Sequence, residues 1–343
     1  MTFLKFATRT LRSVPARHFS TAAPGNNGGG PTKLSKNNNN LPFFLGGAGL
    51  AGLATYIYLA GSVGTPSKPK YEKSALDSER FLDLKLKAVE PYNHNTSRFI
   101  FELPNGTGAA LSPVTSLVVV RASEGAGGAS DAPVDKKGNL AVRAYTPISS
   151  PEHEGELVLL IKKYENGVIS KYVHERLKPG DTLAIKGPIP KFPYKANEFE
   201  HVALIGGGSG ITPLYQLLSH ALKDPTNQTR FTLLYANVSE ADILLRDELS
   251  VLEREHPDRL RVVHTLDQPS SSTGWTGAVG YVSRELVKTH VPPADLGDKI
   301  KVLVCGPPGQ VNAVAGKKDG PKQGQIGGIL KELGYTEDQV FKF

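Results

Sequence analysis

The sequence predicts two unlike folded units in one chain: a small antiparallel β-barrel over residues 78–195, then a parallel α/β sheet over residues 200–343. Three observations predict it. From Phe81, apolar and polar residues alternate at period two, the pattern of half-buried strands. From His201 the rhythm changes to apolar strand candidates separated by helical stretches, the order that builds a parallel sheet. At that change a strand-like run, His201-Val-Ala-Leu-Ile205, opens into Gly206-Gly-Gly-Ser-Gly-Ile-Thr-Pro213, and an amphipathic helix follows.

The first 77 residues read as three pieces ahead of the folded units. Residues 1–40 form a targeting segment and a spacer. Arg9, Arg12 and Arg17, with Ser13 and Ser20 and no acid, are the composition of a mitochondrial transit segment. Gly25 to Asn40 is Gly- and Asn-rich and reads as a disordered spacer. Residues 41–60 are apolar or small, and no charge occurs from Leu41 to Ser67. A single membrane span needs about 20 such residues. Gly46, Gly47, Gly49 and Gly52 weaken a soluble helix but are tolerated in lipid. We read a transmembrane anchor; inside a folded domain the same run would be a buried core helix. Residues 61–77 are the linker.

Charge follows this division. Of 40 Lys and Arg residues, eight lie in residues 1–71, which hold no Asp or Glu. Taking those eight from 40 leaves 32 basic against 33 acidic residues, a net of −1, so the formal +7 belongs to the leader. A near-neutral body argues against nucleic-acid binding, which needs a basic face. The one cysteine excludes an intramolecular disulfide, and the nine histidines show no metal-ligand spacing.

In the barrel, Leu82, Leu84, Leu86 and Ala88 alternate with Asp83, Lys85 and Lys87. Further strands are expected at Arg98–Leu103, Ser116–Arg121, Glu156–Tyr164 and Thr182–Lys186, with one short helix at Ser170–Arg176. Ala122 to Asn139, rich in Gly, Ala and Ser, is an exposed loop, and the Pro-rich Gly187–Pro193 marks a hinge. In the second unit, strands are expected at His201–Ile205, Arg230–Tyr235, Leu260–Thr265 and Lys301–Cys305, with helices over 213–223, 241–255, 282–289 and 324–333. Such a sheet binds ligands at the carboxyl ends of its strands.

The glycine junction falls at one of those ends. Gly206, Gly207, Gly208 and Gly210, with Ser209 among them, let the backbone turn and approach a phosphate without a Cβ in the way. Thr212 suits a helix cap and Pro213 a first helical position. The spacing reads G-x-G-x-x-x-P, not the common dinucleotide pattern G-x-G-x-x-G, and a tight turn without a ligand would use the same residues.

Three further blocks stand in order around it: Arg143-Ala-Tyr-Thr-Pro-Ile-Ser149 closing an apolar run, Gly167-Val-Ile-Ser170, and Cys305-Gly-Pro-Pro308 ending a late strand. Together the four blocks resemble the flavin-dependent ferredoxin-reductase superfamily over residues 78–343, and within it the NADH–cytochrome b5 reductases of fungal mitochondria. The resemblance implies a Greek-key barrel that binds FAD, followed by a domain that binds NADH. Arg143 would pair with the FAD pyrophosphate, Tyr145 would stack along the flavin, and Thr146 would hydrogen-bond the ring near its central nitrogen. Ala144 stands where the family usually has Pro, which keeps the backbone contact and loses stiffness. Gly167, the amides of Val168 and Ile169 and the Ser170 hydroxyl would clamp the pyrophosphate. Leu160, Lys162 and Tyr164 match positions that line the FAD.

On the nicotinamide side, Gly206 to Gly210 would approach the nucleotide, and Thr212 would reach toward the flavin. Asp242 would accept from the adenine ribose hydroxyls and favour NADH over NADPH. Cys305, Gly306, Pro307 and Pro308 would close over the nicotinamide, with Cys305 beside the transferred hydride but no nucleophile. Each position also has a plainer use. Arg143 suits a surface charge, Leu160 core packing, Gly167–Ser170 a capped turn, Asp242 the first turn of a helix, Cys305 a packed strand end, and the aromatic C-terminus Gln339–Phe343 a last strand.

By this resemblance, NADH passes a hydride to the flavin, and electrons leave singly for cytochrome b5. Lys162, Lys163, Lys191 and Lys195 would steer an acidic partner. The leader and anchor would place the chain on the mitochondrial outer membrane or facing the intermembrane space. Fungal relatives link this electron flow to sterol and fatty-acid modification and to recycling of an ascorbate-type radical. A diaphorase-like reductase for a quinone or another redox protein shares the fold, and a non-catalytic nucleotide-binding scaffold would keep only the second domain's features.

Overall fold

The computed structural model describes residues 74–109, 115–124, 132–150, 153–271 and 274–343. The expected targeting segment, spacer and anchor lie outside them, as does most of the linker and part of the 122–139 loop. Among the described residues, no helix is long and apolar enough to cross a membrane.

Six strands make the first sheet: β1 (Leu82–Asn93), β2 (Thr96–Glu102), β3 (Ser116–Ala122), β4 (Arg143–Tyr145), β5 (Glu156–Lys162) and β6 (Thr182–Pro190). Their order is β4-β3-β6-β1-β2-β5, with every pair antiparallel. Period-two alternation sends Leu84 and Leu86, Phe99 and Phe101, and Val118 and Val120 into one core with Leu157, Leu159 and Ile161. The helix α1 (Val168–Glu175) closes that core with Ile169 and Val173. Each such side chain, fully buried, contributes about 1.5–3 kcal/mol. β4 and β5 stand at the two ends of the order, and the sheet curls until the Ile148 N–H donates to the Val158 carbonyl at 3.0 Å. The Pro-rich stretch differs from expectation at its start. Its first four residues continue β6 against β3, and the passage to the second sheet runs from Lys191 to Glu200.

The second sheet has the order β10-β9-β8-β7-β11-β12 and is parallel throughout. Its strands are β7 (His201–Gly207), β8 (Arg230–Asn237), β9 (Leu260–Leu266), β10 (Ala278–Val279), β11 (Ile300–Cys305) and β12 (Val340–Lys342). β7 and β8 are buried along nearly their whole length, as expected for strands covered on both faces. Helices α2 (Ile211–Ala221) and α3 (Arg246–Glu255) pack Leu214, Leu217, Leu218, Leu249 and Leu252 on one face. Helices α4 (Arg284–His290), α5 (Pro308–Ala315) and α6 (Gly328–Glu332) cover the other. Ile148, Val158 and Leu160 of the first sheet enter the α2–α3 cluster, so the two sheets share apolar packing.

Several expectations are corrected here. The helix expected over 241–255 begins only at Arg246. Leu245 before it is left-handed (φ 57°) because its side chain is buried and its N–H donates to the Tyr92 hydroxyl at 2.8 Å. The helix expected over 324–333 shrinks to α6, since Gly324 and Gly328 take positive φ and Gly327 is extended. Helix α5, which the sequence reading did not place, starts from Pro307 with Pro308 at its first position, where a missing N–H costs nothing. The C-terminus is strand β12. There Lys342 is 2% exposed, and its ammonium donates to the carbonyls of Ala315, Lys317, Gly324 and Gln325 at 3.0–3.4 Å, holding the α5–α6 connection against the sheet edge.

Candidate functional site

Strand order reverses at β7: the chain steps to β8 on one side and later returns on the other as β11. Ligands of parallel α/β sheets bind at such a switch point, beyond the carboxyl ends of the strands. Here those ends are the glycine loop and the Cys305–Pro308 loop, and they touch. A Cβ on Gly210 would lie 2.5 Å from the Cys305 carbonyl oxygen and 2.7 Å from the Gly306 nitrogen. A Cβ on Gly306 would lie 3.2 Å from the Gly207 nitrogen. Gly208 has φ +51°, a region other residues rarely enter. The glycines therefore serve close backbone approach and one left-handed turn, both of which leave backbone amides near the crevice.

The helix after the loop starts differently from the sequence reading. Gly210, not Thr212, is its N-cap and carries no capping side chain. Thr212 is 7% exposed and its Oγ1 donates to the Ser209 carbonyl at 3.3 Å, while Pro213 is the third helical residue. The residue that fixes the loop, Tyr235, was not foreseen. Fully buried on β8, it donates to the Gly208 carbonyl at 2.9 Å and accepts from the Leu244 N–H at 3.2 Å. Within an apolar strand a tyrosine reads as core filler, and no local pattern betrays where its hydroxyl ends.

From the first sheet, Arg143 and Ala144 are exposed on β4, and Tyr145 and Thr146 are half-buried beside them. The Arg143 Nη1 donates to the adjacent Val142 carbonyl at 2.8 Å. Burial pushes the Tyr145 phenol up to about 12, against the pull of Arg143. Pro147, next in line, is tied to the second unit: the buried Gln216 of α2 donates from Nε2 to the Pro147 and Ser116 carbonyls, each at 3.2 Å. Beyond β5, the Tyr164 hydroxyl and Ser209 Oγ are 2.7 Å apart, joining the first unit to the glycine loop. Gly167 is the N-cap of α1, so Val168 and Ile169 lie in its first turn, where N–H groups have no intrahelical acceptor. Ser170 is buried, accepts from the Tyr164 N–H at 3.2 Å and donates to the Gly167 carbonyl at 3.3 Å, so it shapes the turn.

Two expected positions meet unexpectedly. Lys162 of β5 and Asp242 after β8 form an ion pair at 3.0 Å. Asp242 is 8% exposed and also accepts from Ser239 at 2.7 Å, with the His94 ring at 3.6 Å. Burial alone would raise its pKa, but Ser239 and Lys162 outweigh that and hold the carboxyl below its ordinary range. Leu160, 3% exposed, is in the apolar packing shared by the sheets. Lys163 pairs with Glu175 at 2.7 Å, whereas Lys191 and Lys195 are exposed. Burial pushes the Cys305 thiol up to about 12, so it stays protonated and suits no nucleophilic role.

These features fit two phosphate-bearing cofactors. The first unit offers an exposed guanidinium at Arg143, the half-buried Tyr145 and Thr146 beside it, and the first-turn amides of α1, which have no intrahelical acceptor. The glycine and Cys305 loops make a second cradle, whose close approach a Cβ at Gly210 would block. Among the described residues no group of His, Cys, Asp and Glu could hold a metal ion.

Fold and site define a two-domain oxidoreductase built from a flavin half and a nicotinamide half. Residues 83–194 match the family model of the oxidoreductase FAD-binding domain, and residues 204–316 that of the oxidoreductase NAD-binding domain. The chain belongs to the NADH–cytochrome b5 reductase family. It is 41% identical to NADH-cytochrome b5 reductase 2 of Mycosarcoma maydis, over 98% of this chain and 96% of that one. It is 44% identical to the protein of the same name from Neurospora crassa, over 77% and 73%. Among solved structures, the cytochrome b5 reductase domain of Ulva prolifera nitrate reductase superposes with a TM-score of 0.65 at 26% identity, covering 79% of this chain and all of that one. FAD and NADH are thus its cofactors, and the chain is an oxidoreductase.

Proposed function

We propose that this chain is a membrane-anchored NADH–cytochrome b5 reductase that takes a hydride from NADH and passes electrons singly to cytochrome b5. The observation that carries the reading is the meeting of the two halves. Tyr164, beside the first-turn amides of α1, contacts Ser209 of the glycine loop, while Gly210 lies against the Cys305 carbonyl. Bound FAD supplies a centre that accepts two electrons together and releases them one at a time.

The chain's own residues supply position and charge. Arg143 and the Val168 and Ile169 amides hold the pyrophosphate of the flavin cofactor, and Tyr145 and Thr146 orient its ring. Gly206 to Gly210 admit the nicotinamide nucleotide. Thr212, Cys305, Gly306, Pro307 and Pro308 border the place where the two rings meet, and Leu160 and Lys162 back the flavin side on β5. Asp242, held by Lys162 and Ser239, would accept from the adenine ribose hydroxyls, a bond that a 2′-phosphate cannot donate, and this supports NADH over NADPH. The Greek-key closure of the barrel and the anchor at 41–60 belong to the same reading. So does a place on the mitochondrial outer membrane, which the basic, acid-free leader supports.

The test is haem reduction by the purified full-length chain, followed optically with NADH or NADPH as donor. Rapid reduction of cytochrome b5 by NADH, at least about tenfold slower with NADPH, is expected. Reduction of a quinone with cytochrome b5 left oxidised would replace this reading with the diaphorase one.

A further inference from the structure

Gln310, the third residue of α5, has no part in the reading above, yet its carboxamide lies between the two loops of the switch point. It occupies the space that a Cβ on Gly207 would take, with Cδ 2.7 Å and Nε2 3.0 Å from that position. A Cβ on Gly306 would lie 3.3 Å from the same carboxamide. Nε2 is buried and has no hydrogen-bond partner among the described residues. Buried donors are paired almost everywhere in folded proteins, so an exception at the mouth of a ligand crevice calls for an acceptor from outside.

We propose that Gln310 is a specificity-determining residue whose Nε2 donates to an oxygen of the nicotinamide-ribose half of the nucleotide. This inference rests on the nucleotide reading of the switch point and deepens it. The half is assigned by position. Gly207 ends β7 and Gly306 follows β11, whereas Asp242 follows β8, on the other side of β7. A dinucleotide laid across the crevice puts one half on each side. With the adenine ribose near Asp242, the other ribose and its carboxamide fall to Gln310. Those groups offer neutral acceptor oxygens, which a neutral amide donor matches without calling for a phosphate charge. The backbone at Gly207 is extended (φ −139°), so glycine is needed there only for room to seat the amide.

Calorimetric titration of the full-length, FAD-loaded protein with NAD+ and with AMP, which carries only the adenine half, tests this. Q310M keeps length and packing but removes the donor. Its NAD+ dissociation constant is expected to rise about 3- to 10-fold, AMP binding to stay within about twofold, and the melting temperature without nucleotide to be unchanged or higher. Q310E, which sets a carboxylate in place of the donor, is expected to weaken NAD+ further. Unchanged NAD+ affinity in Q310M would overturn the proposal, as would an equal loss for AMP, which would mark a packing defect. A wild-type protein that bound no NAD+ would overturn the nucleotide reading of the crevice and this inference with it.

Discussion

His264 on β9 sits in register opposite Tyr235 on β8, ring centroids 5.7 Å apart, with its Nδ1 buried and unpaired. Burial pushes its imidazole down to about 4, with Arg246 adding to the effect, and burial does the same to His201 at the start of β7. Both rings are held neutral by the fold, while the unfolded chain takes up protons near pH 6.5. Their contribution to stability is therefore full above about pH 6.5, falls as pH drops toward 4, and levels off below, where buried carboxyls such as Asp242 begin to take up protons. For His264 the loss is roughly 3 kcal/mol at most. Urea unfolding at stepped pH should show this decline in the wild type and a shallower one in H264F. Equal slopes would show that the ring is not held neutral. None of this was legible in sequence, where His264 is one residue in an apolar run. The glycine loop was legible as a turn because its residue types act locally, whereas Arg143 and Tyr145 were singled out only through the resemblance.

At the scale of elements, the strands were the most readable feature, since alternation in the first sheet and apolar runs in the second follow directly from which faces are covered. Helix boundaries were less so, because tertiary contacts decide them: the Tyr92 hydroxyl draws the Leu245 N–H and delays α3, and glycine backbone angles shorten α6. The glycine loop joins both lessons. Its type was legible, but its packing against the Cys305 loop was not. At Gly210, φ is −65°, which any residue adopts, so only space forbids a side chain there. G210A should thus force the loops apart, lowering stability by about 1–3 kcal/mol and weakening NAD+ at least about tenfold, as melting and titration would measure. Normal NAD+ affinity in that variant would separate the contact from the site.

At the scale of the whole molecule, the two sheets are joined by contacts distant in sequence. Lys162 pairs with Asp242, Arg98 with Glu248, Asn93 donates to the Ala241 carbonyl at 2.8 Å, and Gln216 spans to Ser116 and Pro147. These partners lie 69 to 150 residues apart, which is why Lys162 and Asp242 read as separate binding residues until the fold paired them. Such an interface fixes one geometry between a flavin held by the first sheet and a nucleotide held by the second. Anaerobic titration of the purified full-length protein with NADH, followed at the visible flavin band, tests that geometry. A yellow protein whose band bleaches fully near one equivalent of NADH is expected. A colourless protein that takes up no added FAD, or a flavin band that NADH leaves unchanged, would contradict it.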